Sequence, residues 1–427
     1  MTTTTTRLVG GLVLLGSLLL PTALQAQLAS ASARHLGLGQ NGMATARAFQ
    51  SVAANPAGLG MAESSGFSLA LAPVRVRTGI QPVDFADLKD VEGSVISAAT
   101  KEGWLRDVAN AGGESGAFGV RFTGVALQLG RLGVQVSTLA SGQMNLSPGL
   151  VELLLYGNAG RTGQPVDLTI GPSSLAAYGA TTAGVSYGFP LPTEQGEMAL
   201  GATLTYSVGH AVAVADGGGG TVRADPVSVD VSFPTLLTDD EDTEFNQGSG
   251  VGLDLGFMMK RDRVSFGAAV RNLVHSFSWD VDKLVYRRGT ASLALGDNET
   301  DFERQSASAA PAELRARIDE MTFEPTLALG GGYDVSPDFT AMVDVRNRFG
   351  DGMDVGPAFH AGVGGEYRGL EALHLRAGSA VISDGFQLGG GGSLILGPVN
   401  LSLAVAVRDT DTEQSTLGQF TLSFGHR

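Results

Sequence analysis

The sequence predicts an all-β fold, a transmembrane antiparallel up-and-down β-barrel of about 14 strands with an N-terminal plug. Three observations predict it. From Gly66 onward, segments of roughly ten residues alternate apolar with small or polar side chains; short and long connections between them alternate; and aromatic residues gather where the segments meet the short connections.

Composition narrows the classes further. Of 427 residues, 61 are Gly, none is Cys, 17% are charged and the formal net charge is -15. Without Cys there is no disulfide scaffold, thiolate zinc site, iron–sulfur cluster or acylated N-terminal cysteine. The acidic balance argues against a nucleic-acid partner, because gripping phosphates rests on an excess of Lys and Arg. A hydrophobic content of 43% excludes wholesale disorder.

The chain opens on a targeting segment. Arg7 supplies a positive start, Leu8 to Leu20 an apolar run, and Pro21, Ala23 and Ala26 a helix-breaking, small-residue cleavage zone. Residues 1–26 are therefore read as a cleaved signal peptide, 27–62 as the plug and 63–427 as the barrel. No later run approaches the roughly 18 apolar residues of a membrane-crossing helix, which leaves an exported soluble protein or a β-barrel.

The alternation decides for the barrel. Val399, Leu401, Leu403, Val405 and Val407 form one face against Asn400, Ser402, Ala404, Ala406 and Arg408. Met198, Leu200, Ala202, Leu204, Tyr206 and Val208 oppose Ala199, Gly201, Thr203, Thr205, Ser207 and Gly209, and Val264, Phe266, Ala268 and Val270 oppose Ser265, Gly267, Ala269 and Arg271. The second face carries Gly, Ser and Thr rather than Lys and Glu, so it reads as a crowded interior and the apolar face as a lipid-facing exterior.

Strands are expected at 66–77, 116–129, 134–141, 181–189, 198–214, 250–259, 264–279, 325–333, 339–348, 358–367, 373–382, 386–396, 399–408 and 417–424. Short turns at 130–133, 190–197, 260–263, 334–338, 368–372 and 397–398 alternate with long loops, as in bacterial outer-membrane barrels with short periplasmic turns. Counts of twelve or sixteen stay open, because 227–233 and 284–295 carry strand patterning that reads as extra loop hairpins. Gly217 to Gly220 reads as a hinge within its loop. Phe189, Tyr333, Phe339, Tyr367 and Phe424 are placed for an interfacial girdle on the short-turn side, and Trp279 for the opposite rim.

Between the targeting segment and the first strand, residues 33–62 are rich in Gly and Ala, lack period-2 patterning and end on Asn55, Pro56, Ala57 and Gly58. Such a small-residue segment has nowhere to pack but a barrel lumen, and Asn before Pro with a following Gly defines a rigid turn. In these residues the chain resembles the long-chain fatty acid transporter (FadL-like) superfamily of outer-membrane proteins, which includes secretion- and conjugation-associated relatives. Specific identity covers about 36–59. The resemblance implies a 14-strand barrel, a hatch that closes on an Asn-Pro-Ala-Gly turn, and a hydrophobic ligand that leaves sideways through the wall. Two departures accompany it: Ala48 to Ala54 lacks acidic residues, and Gly425, His426 and Arg427 follow the last aromatic.

Charges within the expected strands fall on the small-residue face: Arg121, Asp254, Arg271, Asp344, Arg346, Glu366, Arg376 and Arg408. Among neighbours of opposite sign they form a ladder stiffening the wall; facing a channel they set its selectivity. The hairpin puts Glu366 near His374 and Arg376. Phe85, Leu88 and Val91, with Trp104 beyond, and then Leu150, Leu153 and Leu154 have helical apolar spacing in two outer loops. They either pack over the mouth or form a groove that collects apolar ligand.

Other motifs carry no chemistry. Gly37, Gly39 and Gly42 spell GxGxxG without a preceding strand, and Gly184, Ser186 and Gly188 spell GxSxG in mid-strand, where no nucleophile elbow forms. His360 and His374 face inward on neighbouring strands, roughly 20 Å apart at the usual rise per residue, so they share no metal. No catalytic, metal or cofactor site is expected. The acidic run Asp239, Asp240, Glu241, Asp242 and Glu244 lacks EF-hand spacing and reads as a solvated loop or a divalent bridge to lipopolysaccharide. Expected partners are outer-membrane lipid and lipopolysaccharide, a small hydrophobic ligand and an envelope protein. The leading expectation is passive transport of small hydrophobic compounds such as fatty acids; the alternative is a non-transporting, partner-binding barrel of an export or conjugation apparatus.

Overall fold

A computed structural model describes residues 28–425, apart from 63–65, 158–159, 165, 195, 240–243, 295–296, 351, 354 and 412. The expected signal peptide, the middle of the acidic run and His426 and Arg427 lie outside the described residues. The wall is a closed barrel of 14 antiparallel strands. They are β1 Phe67–Gln81, β2 Glu114–Leu129, β3 Leu132–Leu146, β4 Leu168–Leu191, β5 Glu197–Ala224, β6 Gly248–Arg261 and β7 Val264–His275. After a long outer segment come β8 Thr326–Ser336, β9 Phe339–Arg348, β10 Phe359–Leu370, β11 Leu373–Ile382, β12 Gly385–Leu396, β13 Val399–Thr410 and β14 Glu413–Phe424. Closure is made by β1 on β14, with Leu69 opposite Phe424.

The period-2 pattern sorts the faces as expected. On β13, Leu403, Val405 and Val407 are exposed on the outside while Ser402, Ala404, Ala406 and Arg408 are buried inside. Phe189, Tyr333, Phe339 and Tyr367 are exposed on the outer face near the short turns, and Phe424 is half-buried on the same face. The apolar exterior and the polar, filled interior are those of an outer-membrane barrel. No helix among the described residues is long and apolar enough to cross a membrane.

Among the bulges of the wall, two shape its inner face. In β1, Ala72 takes φ 50° ahead of Pro73, and the register against β14 shifts between Leu71 and Val74; proline lacks the donor a ladder needs and sits in a strand where pairing is already interrupted. In β7, Asn272 takes φ 52° beside the register shift against β6, and the Asp254 carboxylate accepts its backbone N–H at 2.7 Å. The inward Asp254 thus satisfies a donor that the bulge removed from the ladder.

The outer loops fold into a cap. β4 and β5, at 24 and 28 residues, far exceed the roughly 9–11 residues needed to cross a bilayer. Their outer ends continue into short strands: Val227–Ser232 pairs with the end of β5 and with Thr290–Ala294, and Thr235–Thr238 pairs with Leu284–Arg287. The patterning at 227–233 and 284–295 therefore belongs to loop hairpins, as expected, and the barrel count stays at 14. The Gly217–Gly220 segment is not a hinge: Gly219 and Gly220 pair with Ser232 and Val231. Trp279 is likewise not a rim anchor. It is 6% exposed, packs edge-on against Phe277 and donates its indole N–H to the Met321 carbonyl at 2.8 Å, inside a core that includes Leu236, Leu314, Ile318 and Phe323. The outer loops supply apolar partners for the ring, so it need not seek the interface.

Candidate functional site

The lumen is occupied by residues 28–62. Two one-turn helices, α1 Ala33–Gly37 and α2 Gln50–Ala54, alternate with 3₁₀ turns at Met43–Thr45 and Pro56–Gly60. The small residues let this irregular segment touch the wall on several sides. Ala33 and Leu36 pack on Ala404, Ala406 and Leu417; Ala31 and Phe49 on Ala70 and Ala126; Met43 on Ala269 and Ala328; Ala57 and Met61 on Ala199 and Met258. Short helices cannot satisfy their own backbone, and the wall completes them: Thr421 bonds Ala33 N and Ala31 O, and Ser68 accepts from Phe49 N. The Gln40 side chain donates to that of Gln387.

Asn55 is the central fastening of the expected turn. Its side-chain oxygen caps the following 3₁₀ turn through Ala57 N at 3.1 Å, and its amide donates to Phe257 O at 3.0 Å and Ala268 O at 3.3 Å on paired strands β6 and β7. Pro56 stands at the first position of that turn, where it loses no hydrogen bond. Ala57 and Gly58 are buried, and a side chain at Gly58 would strike Ala46 O and Ser51. Asn55→Ala is expected to cost about 2–4 kcal/mol, a lost cap plus two lost hydrogen bonds to wall carbonyls. Urea titration of the refolded barrel in lipid vesicles checks this.

All eight charged positions named from the sequence lie on the inner wall, but the dominant arrangement is not a strand-to-strand ladder. Glu366 and Arg376 are register partners and form an ion pair at 2.7 Å, as the hairpin predicts. Glu366 also holds Arg34 of the plug at 2.9 Å, with Arg368 at 3.5 Å. Asp344 accepts from Met43 N at 3.0 Å, Arg346 donates to Gln40 O at 3.0 Å and Arg271 to Ala54 O at 3.0 Å. Arg408 bonds Gln387 at 3.2 Å, Arg121 donates to the Val355 carbonyl in an outer loop, and Asp254 serves the bulge. Half of the set grips the plug.

Sequence reasoning missed Arg34, Arg75 and Arg348. Arg34 lies in a segment without periodicity. Arg75 is buried and bonds Gln419, but the bulge at Ala72 and Pro73 inverts the inward parity set by Ser68 and Ala70, so alternation read straight through the strand turns it outward. Arg348 shares the parity of Asp344 and Arg346 and was within reach of the same reading.

Two cavities flank the plug. On the short-turn side a vestibule of about 380 Å³ is lined by Arg34, Arg47, Glu366, Arg368, His374 and Arg376. On the loop side a cavity of about 100 Å³ is lined by Arg75, Arg121, Arg271, Arg346, Arg348 and Asp344. His360 lines the second and bonds Asn41 at 3.1 Å, while His374 lines the first. Among the described residues no cluster of three His, Cys, Asp or Glu could hold a metal.

The outer helices divide the expected groove. Trp104 on α4, Ala98–Ala111, packs with Val83, Val108 and Val151, the last from α5, Pro148–Tyr156. Phe85 and Leu88 on α3, Phe85–Asp90, and Leu154 on α5 are exposed, whereas Val91, Leu150 and Leu153 are half-buried. These residues form a small core with an apolar outer surface, and they line neither cavity described above.

Solved structures share this architecture. The toluene transporter TbuX of Ralstonia pickettii aligns with a TM-score of 0.52 at 14% identity, covering 94% of this chain and 99% of its own. A mutant of the TodX monoaromatic hydrocarbon channel gives 0.51 at 12% identity over 92% and 97%, and a Pseudomonas aeruginosa FadL homologue 0.50 at 10% identity over 94% and 99%. At such identities the likeness establishes the fold alone, a closed 14-strand antiparallel barrel. Comparison with curated protein sequences finds no match. The family model described as F plasmid transfer operon, TraF, protein matches residues 52–345, more than half of the 427 residues. The chain therefore belongs to the TraF family of the F plasmid transfer operon, built on the FadL-like barrel.

Proposed function

We propose that this protein is a sealed outer-membrane barrel that serves a transfer or export apparatus as a wall component and binding partner, and that its lumen is not a conduit for apolar molecules. The observation that carries the reading is the chemistry of the lumen. Both cavities beside the plug carry several guanidinium groups and at least one carboxylate among apolar lining residues such as Leu28, Leu139 and Val355 in one and Phe49, Ile395 and Phe424 in the other. An apolar molecule entering either would strip solvation from these charged groups, a cost that contact with the apolar lining must first offset. Family membership supports the same reading, since the name of the family refers to a transfer operon.

A second reading, passive uptake of hydrophobic compounds such as fatty acids, is favoured by the exposed Phe85, Leu88 and Leu154 on the outer loops. Deletion of the gene in its own host separates the two. Loss of surface transfer or export with unchanged uptake of labelled toluene and oleate is the expected result. Reduced uptake with transfer and export intact would replace the first reading with the second.

A further inference from the structure

The loop-side cavity carries a charge pattern that neither reading uses. Five guanidinium groups, Arg75, Arg121, Arg271, Arg346 and Arg348, line about 100 Å³ with a single carboxylate, Asp344, in a chain whose net charge is -15. The side-chain hydrogen bonds of four of them go to neutral oxygens: Arg75 to Gln419, Arg271 to Ala54 O, Arg346 to Gln40 O, and Arg348 to Met353 O and Gly356 O. The Nε–H groups of Arg271, Arg346 and Arg348 are buried without a partner. Arg75 is 5% exposed and has Arg121, Arg346 and Arg408 as electrostatic neighbours.

Like charges gathered in a water-poor interior repel strongly, and such clusters persist where a counter-charge is supplied. Asp344 and, beside Arg271, Asp254 supply two against five guanidinium groups, and each already accepts a backbone N–H, from Met43 and Asn272. Planar guanidinium forks arranged around a compact space match the oxygens of a carboxylate or phosphate group. The space accommodates one compact ion.

We propose that this cavity, between the plug and the outer loops, binds a small doubly charged oxyanion of the phosphate or dicarboxylate kind. The anion bridges wall arginines of β1, β7 and β9 beside the Gln40 and Ala54 segments that Arg346 and Arg271 hold. It thereby couples the plug to the outer loop at Val355, whose carbonyl Arg121 holds. The site stands whether or not the barrel conducts.

The test uses the full-length barrel purified in detergent, titrated calorimetrically with inorganic phosphate in one arm and succinate in another, against chloride at matched ionic strength. Saturable binding in at least one oxyanion arm is expected, weakened about tenfold or more by R346Q and by R348Q, as loss of a charge-assisted hydrogen bond implies. R348Q, whose guanidinium bonds the outer loop at Met353 O and Gly356 O and not the plug, guards against a folding defect in R346Q; heat-modifiable mobility on gels reports folding in each. Equal heats with chloride, no saturation in either arm, or unchanged affinity in folded variants overturns the site.

Discussion

Glu366→Gln is expected to destabilise the folded barrel by about 3–5 kcal/mol, the usual consequence of removing one member of a buried ion pair. The substitution keeps shape and removes charge. It leaves Arg34 and Arg376, with side chains 10% and 6% exposed, facing a neutral amide in the interior. Cross-strand pairing alone would make this a two-body contact, correctable by exchanging the charges at 366 and 376. The plug makes it a cluster in which Arg34 and Arg376 grip the carboxylate closely and Arg368 stands at its edge. Exchanging Glu366 and Arg376 places an arginine at 366 against Arg34 and is expected to leave most of the loss in place; adding Arg34→Glu is expected to recover the larger part of it. Denaturant unfolding of the vesicle-embedded protein, followed by tryptophan fluorescence, measures all three. Full recovery in the double exchange would show that Arg34 contributes nothing to the cluster.

That contrast marks how far the sequence could be read. Period-2 alternation is a local property, so the strand faces on β5, β7 and β13, the short turns and the inward side of the eight charges were legible residue by residue. The 14-strand count followed from alternating connections and held because the extra hairpins at 227–232 and 290–294 lie outside the membrane wall. Contacts between segments far apart in the chain left no such trace. Arg34 meets Glu366 across 332 positions, and nothing periodic in the plug announces it. The bulge at Pro73 hid Arg75, although a proline in a strand signals interrupted pairing. Trp279 was misplaced because aromatic residues near strand ends suit an interface or a loop core equally, and the partners that decide, Phe323 and Ile318, lie in a distant part of the outer segment. The turn Asn55–Gly58 was found as a turn, while its hold on the β6 and β7 backbone required the fold.

Gly378→Val is expected to open a path beside the plug without unfolding the wall. Gly378 lies on the inner face of β11, and a side chain there would meet the main chain of Leu38 and Gly39; Gly39, at φ 66°, faces the Gly378 main chain in return. Neither side can yield by rotating a side chain, so the overlap must be relieved by moving backbone. The wall is constrained on both edges, with Gly378 paired to Gly364 on β10 and Gly389 on β12. The plug segment is held there by separate polar contacts, Gln40 to Gln387 and, through its carbonyl, to Arg346, and Asn41 to His360 and the Ser379 carbonyl, each worth about 1–3 kcal/mol. Overpacking strain of about 1–3 kcal/mol, or more against rigid backbone, exceeds what any one of them resists, so residues near 38–41 move and the remainder of the plug stays fastened by Asn55 and Arg34. The folded variant in a planar bilayer is expected to conduct ions steadily where the parent is quiet, and cells carrying it to gain sensitivity to bulky polar antibiotics. Gly390→Val, whose side chain would point to the lipid side with Arg376 O as its nearest neighbour at 3.9 Å, is expected to remain quiet. A folded Gly378→Val barrel as silent as its parent would mean that the seal does not depend on close contact between the plug and β11.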